Sequence, residues 1–140
     1  MTCFWDGIIN ALLKNNIIPN TSPKDPSNLV NYLIKNNKKT IDVTWNNEIL
    51  TSKQLQENYD HIKDFDSNKI RNGYDCSTFD PFLFLISQHF QIDIYHRYCQ
   101  NSIKYIYNPP QNTIITYNKQ INLNKKIINV ASNQGHFWAL

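Results

Sequence analysis

At 140 residues, with 41% hydrophobic and 13% aromatic side chains, the chain can fill one core, which excludes a disordered tail and leads us to expect a single domain over 1–140. The net charge of +3, from 14 Lys+Arg against 11 Asp+Glu, is mild, and the basic doublets are only Lys38-Lys39 and Lys125-Lys126, so no nucleic-acid partner is expected. No apolar run approaches the ~20 residues of a membrane span, and three cysteines without CxxC or CxxH spacing suggest neither disulfide framework nor zinc knuckle.

These features lead us to expect a soluble, reduced, cytoplasmic protein with no membrane partner, metal or cofactor. Asn, Ile, Lys and Tyr are abundant while Gly numbers only 3, as in the codon drift of an AT-rich genome. Many Asn residues are therefore background rather than chemistry.

In chain order, Thr2 can cap a first helix running from Cys3 to Lys14. Phe4, Ile8 and Leu12 recur at i, i+4 and i+8, with Trp5, Ile9 and Leu13 one position on, so this helix is expected at the centre of the core. A loop over 19–26 follows. Ser27 caps a second helix, with Leu29, Val30, Leu33 and Ile34 inward and Asn36-Asn37 at its end. Residues 41–45 alternate and suit a short strand or an extended connection. Thr51-Ser52-Lys53-Gln54 is a capping box opening a helix through Ile62, and the polar stretch 63–78 reads as a loop.

Asp80-Pro81 suits the start of another helix, which Phe82, Leu83, Leu85, Ile86 and Phe90 would bury. Beyond Gln91 the period changes from 3.6 to 2, placing Ile92, Ile94, His96 and Tyr98 on one face. Further strands are expected over 103–107, 113–117, 127–131 and 136–140, with Asn108-Pro109-Pro110 turning between two of them. Helices first and an antiparallel meander last make an α+β layout.

The two ends carry the candidate chemistry. Cys3 opens the central helix, where unpaired N–H groups and the macrodipole favour a thiolate. His136 opens the last strand in Gly135-His136-Phe137-Trp138. A cysteine early and a histidine late, on different elements, is how thiol hydrolases assemble nucleophile and base.

Cys3-Phe4-Trp5 at a helix start, the Asp80-to-Ile86 helix leading into Ile92-Asp93-Ile94-Tyr95, and the late His136-Phe137 pair together resemble the OTU (ovarian tumour) class within the papain-like cysteine proteases. The resemblance implies an OTU-like fold with the Cys on a buried central helix and the His on the β-meander. It implies a deubiquitinase that cleaves after the C-terminal glycine of ubiquitin or a ubiquitin-like protein, which would be its partner. Cys3 and His136 would be catalytic, and Trp5, Phe137 and Trp138 would wall a narrow cleft.

Three features depart from the family pattern: what precedes Cys3, what stands two residues past His136, and the end of the chain four residues past His136. Only Met1 and Thr2 precede Cys3, where OTU proteins carry an upstream Asp in a glycine-rich loop, so the expectation is a trimmed domain, a misplaced start codon or a decayed activity. Trp138 stands two residues past His136, where the family often has an acceptor for the imidazole, and indole cannot accept. Asp6, Asn118, Asn133 and Asp93 are the candidate orienting residues in its place. The alternative reading is an inactive OTU-like module that binds ubiquitin or another protein.

The bland readings are a buried Cys3 and an edge-strand His136. His96 and Cys99, three apart on one strand and near His89, would face opposite sides, which argues against a shared metal. Residues 73–78 read as a turn and helix lead-in, or as one wall of the cleft.

Overall fold

The computed structural model describes residues 3–19, 25–70, 76–109, 125–133 and 135–140, with the side chains of residues 3, 69 and 76–78 outside the description. Its elements are α1 (Cys3–Lys14), α2 (Pro26–Lys35), β1 (Val43–Trp45), β2 (Glu48–Ile49), α3 (Ser52–Lys63), a 3-10 turn (Ser67–Lys69), α4 (Cys76–Phe90), β3 (Asp93–Tyr98), β4 (Asn101–Tyr107), β5 (Ile127–Ser132) and β6 (Phe137–Ala139). The class is α+β, as the sequence order implies.

The helix starts show which local signals govern. Thr51 accepts from the Gln54 N–H while the Gln54 side chain accepts from the Thr51 N–H, the reciprocal cap that the sequence predicts. In α2 the cap is Asp25, not Ser27. Asp25 Oδ1 accepts from the Ser27 N–H, and Pro26 fills the first helical position, where its missing N–H costs nothing.

Helix α4 begins at Cys76, four residues before the expected Asp80, and carries Pro81 inside. Pro81 forfeits one hydrogen bond to the Ser77 carbonyl, at about 3 kcal/mol for an interior proline. Phe79, Phe82, Leu83, Leu85 and Ile86 are buried, and each contributes roughly 1.5–3 kcal/mol, so packing outweighs the break.

The sheet is mixed, with strand order β2-β1-β4-β3-β5-β6. The expected all-antiparallel meander is corrected at one place: β3 and β5 run parallel, from Asp93↔Ile127 to Tyr98↔Ser132. The cause is remote in sequence. β1, joined to β2 through Asn46 and Asn47 at positive φ, pairs with the far edge of β4, so β5 joins the sheet beside β3. β6 then folds back antiparallel onto β5. The strand expected over 113–117 lies outside the described residues.

One face of the sheet carries the helices. Ile94, His96, Tyr105, Ile128 and Val130 are buried on it, and Phe84 of α4 meets Tyr105 edge-on at 4.9 Å. Arg97 and Asn129 are exposed. Helix α1 lies over β5 and β6, at one edge of the sheet, with Phe4, Trp5, Ile8, Ala11 and Leu12 buried and Asp6 and Asn10 exposed, so the expected central place is corrected to a buried position at the sheet edge.

Candidate functional site

The start of α1 and the start of β6 meet. Phe4, next after Cys3, stacks on Phe79 and lies 4.7 Å from the ring of Phe137, next after His136. One turn further along α1, a Cβ on Gly7 would stand 2.8 Å from Phe137 Cδ1 and 3.2 Å from Trp138 Cα. A glycine within a helix costs roughly 0.5–1 kcal/mol against alanine, and here it admits β6 against the helix backbone. At the other end of α1, the Lys14 ammonium donates to the Leu140 carbonyl at 2.9 Å. Helix and strand are thus docked along their length. Cys3 is the first residue of α1, and its side chain lies outside the description.

His136 is exposed, at the end of a turn built by Asn133. Asn133 Oδ1 accepts from the N–H groups of Gly135 (3.0 Å) and His136 (2.9 Å), and the Asn133 N–H donates to the His136 carbonyl at 3.0 Å. This arrangement fixes the backbone from which the imidazole projects.

Several expectations change with these contacts. Asn133 cannot orient the imidazole through Oδ1, because both lone pairs of that oxygen already hold the turn. Asp93 is buried at the opposite end of β3, paired with Lys125 at 3.0 Å and accepting the Tyr107 N–H at 2.9 Å. Asn118 lies outside the described residues. Asp6 is exposed in the first turn of α1.

Among the aromatic residues expected to wall a cleft, Trp5 is 0% and Phe137 3% exposed, so both are core. Trp5 sits edge-on to Phe4 and Phe82, each at 4.9 Å. Trp138, 43% exposed, stays at the surface on the strand that His136 leads into.

The sequence reading missed one constellation. His96 on β3, 2% exposed, is joined to Ser132 at the end of β5 by a hydrogen bond of 2.6 Å between Nε2 and Oγ. Its Nδ1 is buried with no hydrogen-bond partner among the described residues. Burial of the ring pushes the His96 pKa down to about 4, so the imidazole is neutral near pH 7. The signal available in sequence was His96 in phase with Ile92 and Ile94, since a buried imidazole needs a polar partner. Its partner lay one residue past the expected end of the strand.

His89 makes a separate contact, 2.7 Å from the Tyr32 hydroxyl, and its pKa is lowered by burial and then by Lys38. Cys99 is an exposed thiol on a residue at positive φ, in the turn just past the end of β3. A hollow of about 410 Å³, lined by Ile9, Ile17, Ile18, Leu29, Tyr32 and Phe90, opens on the α2 side of α1.

No described helix is long and apolar enough to cross a membrane. No family model, curated protein or solved structure matches this chain.

Proposed function

We propose that the chain is a thiol hydrolase of the papain-like kind, with Cys3 as nucleophile and His136 as base. The observation that carries this reading is the docking of α1 on β6 through Phe4, Gly7 and Phe137. It brings the backbone that follows Cys3 against the backbone that follows His136, although 133 positions separate the pair.

In this reading the Cys3 thiolate, favoured at the helix N-terminus, attacks a carbonyl carbon. The tetrahedral oxyanion collapses, and His136 returns the proton to the leaving amine. The acyl-thioester is then hydrolysed by water that His136 deprotonates. The Cys3 N–H supplies part of the oxyanion hole. The proposed substrate is the C-terminal glycine of ubiquitin or a ubiquitin-like protein, following the OTU resemblance. With Trp5 and Phe137 in the core, Trp138 is left as the aromatic wall that a glycine-ended tail would pass.

One observation favours a second reading, a module that binds ubiquitin or another protein without cleaving it. Trp138 occupies the place of an acceptor, and Asn133 Oδ1 is already engaged. A ubiquitin bearing a C-terminal thiol-reactive group separates the two. The hydrolase reading predicts one covalent adduct, on Cys3 and absent in Cys3→Ala. Non-covalent retention without an adduct supports the binding module, and an adduct that persists in Cys3→Ala overturns the assignment of the nucleophile.

A further inference from the structure

We propose that His96 and Ser132 are positioning residues for the Cys3–His136 pair, a buried clamp that sets the His136 turn and β6 against the start of α1. The inference rests on the hydrolase reading of Cys3 and His136 given above.

The clamp acts along two short paths. Through the backbone, Ser132 immediately precedes Asn133, whose side chain builds the turn that carries His136. The Ser132 hydroxyl is tied to His96 Nε2 at 2.6 Å, and its carbonyl accepts the Cys99 N–H at 3.1 Å. The last residue before the turn is therefore anchored through both side chain and main chain. Through packing, Ser132 lies opposite Phe137 in the β5–β6 register, and the His96 ring lies 5.5 Å from that of Phe137. Phe137 is the residue that docks on Phe4 and under Gly7. His96 and Ser132 thus touch both the strand leading into the turn and the ring seated on the helix.

A polar pair in this place needs a reason beyond stability. An apolar pair of similar volume would fill the site without the desolvation cost of two buried polar groups. What an apolar pair lacks is direction. A hydrogen bond between fixed positions on adjacent strands admits one offset of β5 against β3, whereas methyl contacts tolerate sliding. A displacement of about 1 Å at a reacting pair is enough to lower rates by around a hundredfold, so precision at the strand end has a chemical use. The imidazole suits the task because burial keeps it neutral near pH 7.

The test is the pH profile of Cys3 alkylation by iodoacetamide, read by peptide mass spectrometry in a Cys76→Ser/Cys99→Ser background. It needs no knowledge of the substrate. His136→Ala should lower alkylation at pH 6 by about tenfold, the loss expected when the thiol pKa rises by one unit. Ser132→Ala and His96→Leu should move the profile the same way by about threefold to tenfold while circular dichroism and a cooperative melt stay native. His96→Gln, which retains a nitrogen near the Nε2 place, and Ser132→Thr should restore at least half of the difference. A role in stability alone would move the melting temperature and leave the profile unchanged.

If His136→Ala shifts the profile and folded Ser132→Ala and His96→Leu do not, the hydrolase reading stands and the clamp is overturned. If His136→Ala itself leaves the profile unchanged, the thiol–imidazole pair is wrong, and the clamp falls with it. Should His96→Leu fail to fold, Ser132→Ala with its Thr rescue decides alone.

Discussion

Two histidines on neighbouring parts of one sheet have opposite surroundings. His136 is exposed on a turn whose backbone Asn133 holds, so its ring is open to solvent while its attachment is rigid. His96 is buried, pinned to Ser132 and held neutral down to about pH 4. The difference teaches where a base can act. A ring that must exchange protons with a substrate needs access, and a ring that keeps strands in place needs a dry site and a fixed partner.

The comparison is broken most sharply by substitution at the proposed reactive pair. Cys3→Ala and His136→Ala should each abolish turnover of a ubiquitin C-terminal amide, a loss of several orders of magnitude, with melting curves unchanged. Residual turnover within tenfold of the parent would remove that residue from the chemistry.

His96 should dominate a different observable, stability in acid. Its folded pKa of about 4 lies below the ordinary 6.5, so between those values the unfolded chain binds a proton that the folded chain does not. Stability is therefore complete above pH 6.5 and falls as the pH drops toward 4, by about 3 kcal/mol from this group. Urea titrations of the parent and His96→Gln at pH 7 and 4.5 measure it. The variant should lose less on acidification, and equal losses would show that His96 does not carry the acid sensitivity.

Gly7→Ala tests the docking on which the two regions depend. Its Cβ would press on Phe137, a ring enclosed by Phe4 and His96, so the overpacking cost of about 1–3 kcal/mol exceeds the helix gain of about 0.5–1. A lowered melting temperature together with slower Cys3 alkylation is expected. A stabilised variant would mean that α1 and β6 are not so closely seated.

The smallest effect is a control remote from both histidines. Thr51→Ala removes the α3 cap and should cost about 1 kcal/mol without altering the alkylation profile of Cys3. A shift in that profile would mean that Cys3 alkylation reports general stability rather than the thiol–imidazole pair.

What could be read from sequence followed the range of the interaction. The bounds of α1 come from its own i, i+4 spacing, and α3 from a four-residue box, so both match the structure. The α2 cap was missed by two residues because Asp25-Pro26 competes with Ser27, and the proline settles the first turn. The start of α4 was missed because burial of Phe79 and its neighbours overrides the stop signal of Pro81. The parallel pairing of β3 with β5 was out of reach, since it depends on β1 pairing with the far edge of β4.

The His96–Ser132 contact was hidden for the same reason, because only that parallel register brings positions 96 and 132 together. The docking of Phe4 on Phe137 was likewise not read, because it joins elements at the two ends of the chain. The assignment of Trp5 and Phe137 to a cleft failed because aromatic residues beside candidate chemistry look alike in sequence whether they face a channel or a core.

The central claim, that Cys3 and His136 stand within reach of each other, is tested most directly by bridging them. A short bis-alkylating reagent such as 1,3-dibromoacetone, applied to the folded Cys76→Ser/Cys99→Ser protein, reacts first with a thiolate and then with the nearest nucleophile. A single intramolecular bridge joining the peptides that contain Cys3 and His136, absent after unfolding in urea, is the expected result. A reagent that remains attached to Cys3 alone, or that bridges Cys3 to a peptide without His136, would contradict it.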